Sequence, residues 1–173
     1  NKNGSKLGML AYERINRGEL VPDDITVDLV RERLQQDDAK QGFLLDGFPR
    51  TVAQAIAFDA LMVEFNIKLD AVVNLFVEDK ELVDRIVGRR VCVNCGENYH
   101  IDNHPPKIEG ICDKCQSKLV QRKDDTKETV LHRIEIYHTQ TEPIIKHYNE
   151  QDLVFNVDGT ADIQDTFLSI KSF

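Results

Sequence analysis

Ala71-Val72-Val73-Asn74-Leu75-Phe76-Val77 is a nearly continuous apolar run, broken only by Asn74. A strand with one wet face alternates apolar and polar residues, so this run reads as a strand buried on both faces of a parallel sheet. Parallel strands need crossovers, usually helical, and the flanking segments have helical spacing. Residues 5–17 place Leu7, Leu10, Ala11 and Ile15 on one face, with Gly18 as a C-terminal stop. Residues 24–36 do the same through Ile25, Leu29, Val30 and Leu34, and residues 51–65 through Val52, Ile56, Leu61, Met62 and Phe65. Further helices are expected over 79–89, over 126–149 with a bend or break at Pro143, and over 160–172. Asp125 and Glu128 have the spacing of a capping box for the 126–149 helix. Phe43-Leu44-Leu45 and Leu153–Val157 read as two more strands. Strands alternating with helices define the class α/β with a parallel sheet.

Between Val91 and about Asp125 the hydrophobic periodicity stops, and Cys, Gly, Asn and Pro105-Pro106 take over. This segment reads as an inserted module. Cys92 and Cys95 form one Cys-x2-Cys pair, Cys112 and Cys115 a second, with sixteen residues between the pairs. Two such knuckles supply four converging thiolates, the ligand set of a closed, structural zinc site. Two redox pairs are the alternative for the cysteines, and a nucleic-acid-binding zinc ribbon the alternative for the module. The net charge of −8 argues against nucleic acid, whose binders carry an excess of Lys and Arg.

The 173 residues suffice for one domain plus a small insertion. A 41% hydrophobic and 30% charged balance suits a soluble globular chain. No run approaches the ~20 apolar residues of a membrane span, and no signal peptide is expected. A cytoplasmic location without membrane association is expected, and disulfides are the weaker reading of the cysteines.

Asp46-Gly47-Phe48-Pro49-Arg50 follows the Phe43–Leu45 strand, and ligands of open parallel sheets bind beyond strand carboxyl ends. An aspartate there can order magnesium or its water, although an N-cap or turn aspartate is the bland reading. Arg50 leaves a rigid Phe-Pro and is suited to a bidentate phosphate contact. Arg85, Arg89 and Arg90 precede the cysteine module, and Arg122 and Arg133 follow it. Solvated helix charges are the bland reading of any one of them. Together, around an insertion, they suit a clamp for the charge of a transferring phosphoryl group.

The stretches GELVPDD, GFLLDGFPRTVAQA, DRIVGRRVC, NHPPKIEGICDKC, QRKDDTKETVLHRI and VDGT occur in that order. Together they resemble the adenylate kinase family in its long form with a zinc-bearing lid. The resemblance implies a nucleoside monophosphate kinase-like core over 1–90 and 126–173, with AMP-binding helices in about 1–36 and the lid over 91–125. It implies phosphoryl transfer from Mg-ATP to AMP giving two ADP, with structural zinc and substrate-bound magnesium. For AMP it implies main-chain contacts from Glu19, Leu20 and Val21, close approach at Gly47, phosphate binding by Arg50, adenine reading by Gln54, and contacts from Arg122 and Arg133. For ATP it implies Arg85, Arg89, Tyr99 and His100, with His100 packing on the base opposite Arg85. Arg89, Arg122 and Arg133 would surround the transferring group, and Asp46 would order magnesium-bound water. Asp124 and Asp125 resemble a lid-hinge pair that meets arginines on closure.

Members of that family begin with a strand leading into G-x-x-x-x-G-K-[ST], whose backbone cradles phosphate. The 173 residues contain no such sequence, nor the arginine of the family's GDMLR-like stretch. The resemblance thus implies an N-terminal truncation by on the order of forty residues, upstream of NKNGSKLG. The family's sheet order is 2-3-1-4-5, and only its third, fourth and fifth strands are represented. Such a chain is expected to be inactive as it stands, and the family's usual monomer to give way to association through exposed sheet edges. A kinase for another nucleoside monophosphate and a non-catalytic nucleotide- or zinc-binding fragment are the alternatives; Gln54 favours adenine over the former.

Overall fold

The computed structural model describes residue 9 and residues 21–172. Met9 is helical, and the rest of the helix expected over 5–17 lies outside the described residues, as do Glu19 and Leu20. The chain divides into two compact units. One contains the described residues up to Val72 together with Thr139–Val154. The other contains Val73–His138 and the chain from Phe155 onward.

In the first unit, helix α1 (Asp23–Leu34) packs on helix α2 (Val52–Phe65). Asp23 and Asp24 occupy the first turn of α1 and Arg31 and Arg33 its last, which complements the helix dipole. Thr51 caps α2, its hydroxyl accepting the N–H of Gln54 at 3.1 Å. Asn66 stops α2 in the left-handed conformation at φ 54°, a role its short polar side chain tolerates. Phe58 is 3% exposed and takes Phe43 and Phe48 edge-on at centroid distances of 6.4 and 5.4 Å. α2 also buries Ala55 against Ile144 and Tyr148 of helix α5 (Pro143–Asn149). It keeps a solvent face as well: Ile56, expected inward from spacing, and Val63 are 56% and 82% exposed. His147 and Gln151 both reach the carboxylate of Asp59, at 2.7 and 3.0 Å, and clip α5 to α2.

In the second unit, helix α3 (Asp79–Val87) packs on helix α4 (Lys127–Ile136). Between them in sequence lies a three-stranded antiparallel sheet in the order β3-β2-β4, from β2 (Arg89–Cys92), β3 (Asn98–His100) and β4 (Leu119–Val120). A π-helical turn (Tyr137–Thr141) follows α4, and Pro143 starts α5 as its first residue, where its missing N–H costs nothing. Thr126 caps α4 by accepting the N–H of Thr129 at 3.3 Å. Asp125, the cap suggested by spacing, turns its carboxylate to Arg89 instead. Helix α6 (Ile163–Lys171), capped by Asp162, closes the chain.

β1 (Val72–Phe76) and β5 (Val154–Asp158) form a two-stranded sheet. The Val72 N–H bonds the Leu153 carbonyl and the Gly159 N–H bonds the Phe76 carbonyl, at 2.9 and 2.8 Å. Both partners advance together along the chain, so the pair is parallel. Two expectations change here. Phe43–Leu45 is not a strand, because no described residue offers its backbone a ladder, and Leu44 is 88% exposed. β1 is not covered on both faces either: Leu75 and Phe76 are 52% and 62% exposed, so helices do not close over it as they do over most parallel sheets.

Phe58→Ala should remove the ring that Phe43 and Phe48 pack on. The expected loss is about 3–4 kcal/mol, read by urea denaturation followed by circular dichroism.

Candidate active site

The Asp46–Arg50 turn is built around Gly47, whose φ of +72° is costly for any residue with a Cβ. A Cβ there would also stand 2.9 Å from Arg50 Nη2. Arg50 Nε donates to the Gly47 carbonyl at 2.7 Å, so the side chain folds back over the turn that precedes it. The Thr141 hydroxyl holds the Arg50 carbonyl at 2.9 Å. Among the described residues no carboxylate pairs with Arg50, and its guanidinium is exposed. Asp46 is exposed beside it in the chain, and Val21 is half-buried. Gln54 sits one helical turn beyond Arg50, 6% exposed, with its Oε1 accepting the Arg50 N–H at 2.8 Å. Gly47, Arg50 and Gln54 are thus joined by direct hydrogen bonds.

Arg85, Arg89 and Arg133 are paired in the second unit. Arg89 makes a two-pronged contact with Asp125, Nε to Oδ2 at 3.0 Å and Nη2 to Oδ1 at 2.6 Å. The Asp125 side chain is fully buried, and this hydrogen bond raises the Arg89 guanidinium above its ordinary value. Arg133 reaches Asp124 at 2.7 Å and holds that carboxyl below the usual carboxylate range. Arg85 donates to the Gly159 carbonyl at 2.8 Å and pairs with Glu81 one turn back. Arg90 spends its Nη1 on the Val87 and Arg89 carbonyls, at 3.1 and 2.7 Å. Arg122 is exposed.

His100 has both ring nitrogens engaged. Nδ1 accepts the N–H groups of Asp102 and Asn103, each at 3.1 Å, which leaves Nε2–H to donate to the Asp84 carbonyl at 3.1 Å. The ring lies over Gly88, where a Cβ would come within 2.0 Å of Nε2. Tyr99 points the other way and is 5% exposed, inside the cysteine module. Its oxygen accepts the Asp113 N–H at 2.8 Å, leaving the phenol hydrogen for Cys112 Sγ at 3.6 Å. That hydrogen bond, with burial, pushes the phenol up to about 12. Tyr99 thus has an internal place in the module rather than one on its surface.

The two cysteine knuckles are built alike. Gly96 and Gln116 N–H groups bond the carbonyls of Cys92 and Cys112, and the Cys92 and Cys112 N–H groups bond the carbonyls of Glu97 and Ser117. Gly96 and Gln116 both take positive φ, +74° and +60°. The four sulfurs lie within 4.8 Å of one another, with three of the separations at 3.3–3.6 Å. Zn–S bonds of about 2.3 Å in a tetrahedron place sulfurs about 3.8 Å apart, so the set fits that ion closely. The cysteines are free thiols, Cys92 and Cys112 buried and Cys95 exposed. Cys115 is drawn down to about 5 by the hydroxyl and N–H of Ser117 together with Cys92. No other His/Cys/Asp/Glu group among the described residues has this geometry, and no helix among them is long and apolar enough to cross a membrane.

A parallel α/β frame, an Asp-Gly-Phe-Pro-Arg turn with a free guanidinium, and arginines bracketing a four-cysteine module define a phosphotransferase of the nucleotide kinase class. The chain belongs to the adenylate kinase family, whose model matches residues 1–153. It is 51% identical over 164 residues to the adenylate kinase of Finegoldia magna, covering 95% of this chain and 76% of that protein. Over 171 residues it is 48% identical to the adenylate kinase of Carboxydothermus hydrogenoformans, covering 99% and 80%. The adenylate kinase of Archaeoglobus fulgidus is 48% identical over 169 residues, covering 98% and 78%.

Sequence reasoning missed three contributors: Asp23, which bonds Gln54 and Thr51; Glu81, which pairs with Arg85; and Tyr99 as a partner of Cys112. The i,i+4 spacing of Glu81 and Arg85 was a usable signal. The other two depend on contacts across the fold.

Asp125→Ala should leave Arg89 half-buried without its counter-charge and cost about 3 kcal/mol, read by urea denaturation. Asp124 and Asp158 are both held below their ordinary value, the first by Arg133 and the second by the Thr160 hydroxyl and N–H. Their contribution is complete above the unfolded carboxylate value of about 4 and is lost as pH falls through the lower folded values. Stability should therefore decline below about pH 4, and Asp124→Asn should flatten part of that slope in a pH series.

Proposed function

We propose that these residues form the acceptor and lid portions of an adenylate kinase that moves a phosphoryl group reversibly from Mg-ATP to AMP, giving two ADP. The observation that carries this reading is the Gly47–Gln54 segment, where an uncompensated guanidinium stands one helical turn from a buried primary amide. A nucleoside monophosphate offers a phosphate for the first and a base edge for the second. Val21, with Glu19 and Leu20, would supply main-chain contacts to the base. Arg122 and Arg133 would reach AMP and, with Arg89, neutralise the charge that develops on the transferring group. Arg85 and His100 would hold the ATP base, and Asp46 would order the magnesium-bound water of the nucleotide. For Arg89 and Arg133 this requires exchanging their present carboxylate partners for phosphate oxygens.

Residues 91–125 would be the lid, with Cys92, Cys95, Cys112 and Cys115 holding zinc. When bound, zinc would cross-link the two knuckles and stiffen the lid; the phosphates are handled by the arginines. A cytoplasmic location suits such an activity. The 173 residues contain no G-x-x-x-x-G-K-[ST] sequence, so turnover by these residues alone is not expected, while AMP binding is.

Arg50→Ala should weaken AMP binding on the order of 10- to 100-fold, as for a lost charge-assisted hydrogen bond, in titration calorimetry. Unchanged affinity would remove the acceptor-site assignment. Zinc should bind one per chain and raise the melting temperature of the wild-type protein, and Cys112→Ser should abolish the rise. A coupled ADP assay with robust turnover would contradict the expectation for these residues alone.

A further inference from the structure

Gln54 has one fixed partner at each end of its amide. Oε1 accepts the Arg50 N–H at 2.8 Å, and Nε2 donates to Asp23 Oδ1 at 2.6 Å. A backbone N–H only donates and a carboxylate only accepts, so these two contacts determine which way the amide points. Turning it over would set N–H against N–H and carbonyl against carboxylate. Asp23 is itself anchored: its Oδ2 accepts the Thr51 hydroxyl at 3.1 Å, and that hydroxyl oxygen accepts the Gln54 N–H at 3.1 Å. The first turn of α1 is thereby buckled to the first turn of α2.

After these contacts the amide retains one lone pair on oxygen and one N–H on nitrogen. In that order they match a purine edge with an amino group at position 6 and an acceptor at N1. The reversed amide would match the opposite edge, a 6-oxo group beside an N1–H donor. We propose that Asp23 is a positioning residue that locks the Gln54 amide and so makes the acceptor site select 6-aminopurine over 6-oxopurine monophosphates. This rests on the reading that Gln54 faces the base of the acceptor nucleotide. Asp23 touches no base in this account; it acts through the orientation of Gln54. A site whose polar groups are left mismatched rejects the wrong edge strongly, which is where the selectivity arises.

The test is calorimetric titration of the whole protein with AMP and with IMP, for the unaltered chain, Asp23→Asn, Asp23→Ala and Gln54→Ala. Asparagine keeps the shape of Asp23 but can donate or accept, so it no longer opposes the turned amide and only the Arg50 N–H still does. Asp23→Asn should lower the AMP-over-IMP preference about tenfold, with IMP binding gained as AMP binding is lost. Asp23→Ala should lower the preference as well, and circular dichroism establishes that each variant folds. An equal loss of both ligands, or an unchanged ratio in Asp23→Asn while Gln54→Ala weakens AMP, would overturn the proposal and leave the base contact standing. A Gln54→Ala variant that binds AMP as the unaltered protein does would overturn the base contact, and the proposal with it.

Discussion

Charge compensation of arginine organises this protein. A guanidinium stays charged at any relevant pH, so wherever it is half-buried something must accept from it. Asp125 does so for Arg89 with a fully buried carboxylate, Asp124 for Arg133, and the Gly159 carbonyl with Glu81 for Arg85. Arg50 differs from these three. Only its Nε is spent, on the Gly47 carbonyl, and no described carboxylate neutralises it. Arg50 is thus open to an anion at once, while these three hold acceptors that a polyphosphate could replace. An anion that took Arg89 from Asp125, or Arg133 from Asp124, would couple its binding to rearrangement of the segments that carry those carboxylates.

The cysteine module is organised separately. Its two knuckles share one hydrogen-bond pattern, and their sulfurs meet at the spacing of a tetrahedral ion. The Tyr99 phenol faces Cys112 from inside. Its hydrogen bond to Cys112 helps hold that sulfur within the cluster, so Tyr99 contributes to the rigidity of the module. His100, next in sequence, points to the opposite side of β3 and locks onto Gly88 and Asp84. Two adjacent residues of one strand thereby link the module's interior to the helix that enters it, as strand alternation requires.

Most elements were legible from periodicity alone. α2 stands where its apolar spacing put it because Thr51 and Asn66 punctuate it locally, and the paired Cys-x2-Cys motifs announce converging sulfurs without any tertiary information. Other features depend on partners far away in sequence. Asp125 and Thr126 are adjacent and both acceptable caps; Arg89, thirty-six residues earlier, decides between them. The Phe43–Leu45 run has strand chemistry, but a strand exists only with a ladder, and no described residue supplies one. Asp23 reads as an ordinary first-turn acid, and its reach to Gln54 appears only once α1 packs on α2.

The claim that the Gly47–Gln54 segment is the acceptor site for AMP is tested most directly by amide chemical-shift mapping. Titration with AMP should move the Gly47, Arg50 and Thr51 backbone signals and the Gln54 side-chain amide first and furthest. Shifts absent from that segment, or concentrated in the cysteine module, would contradict the account.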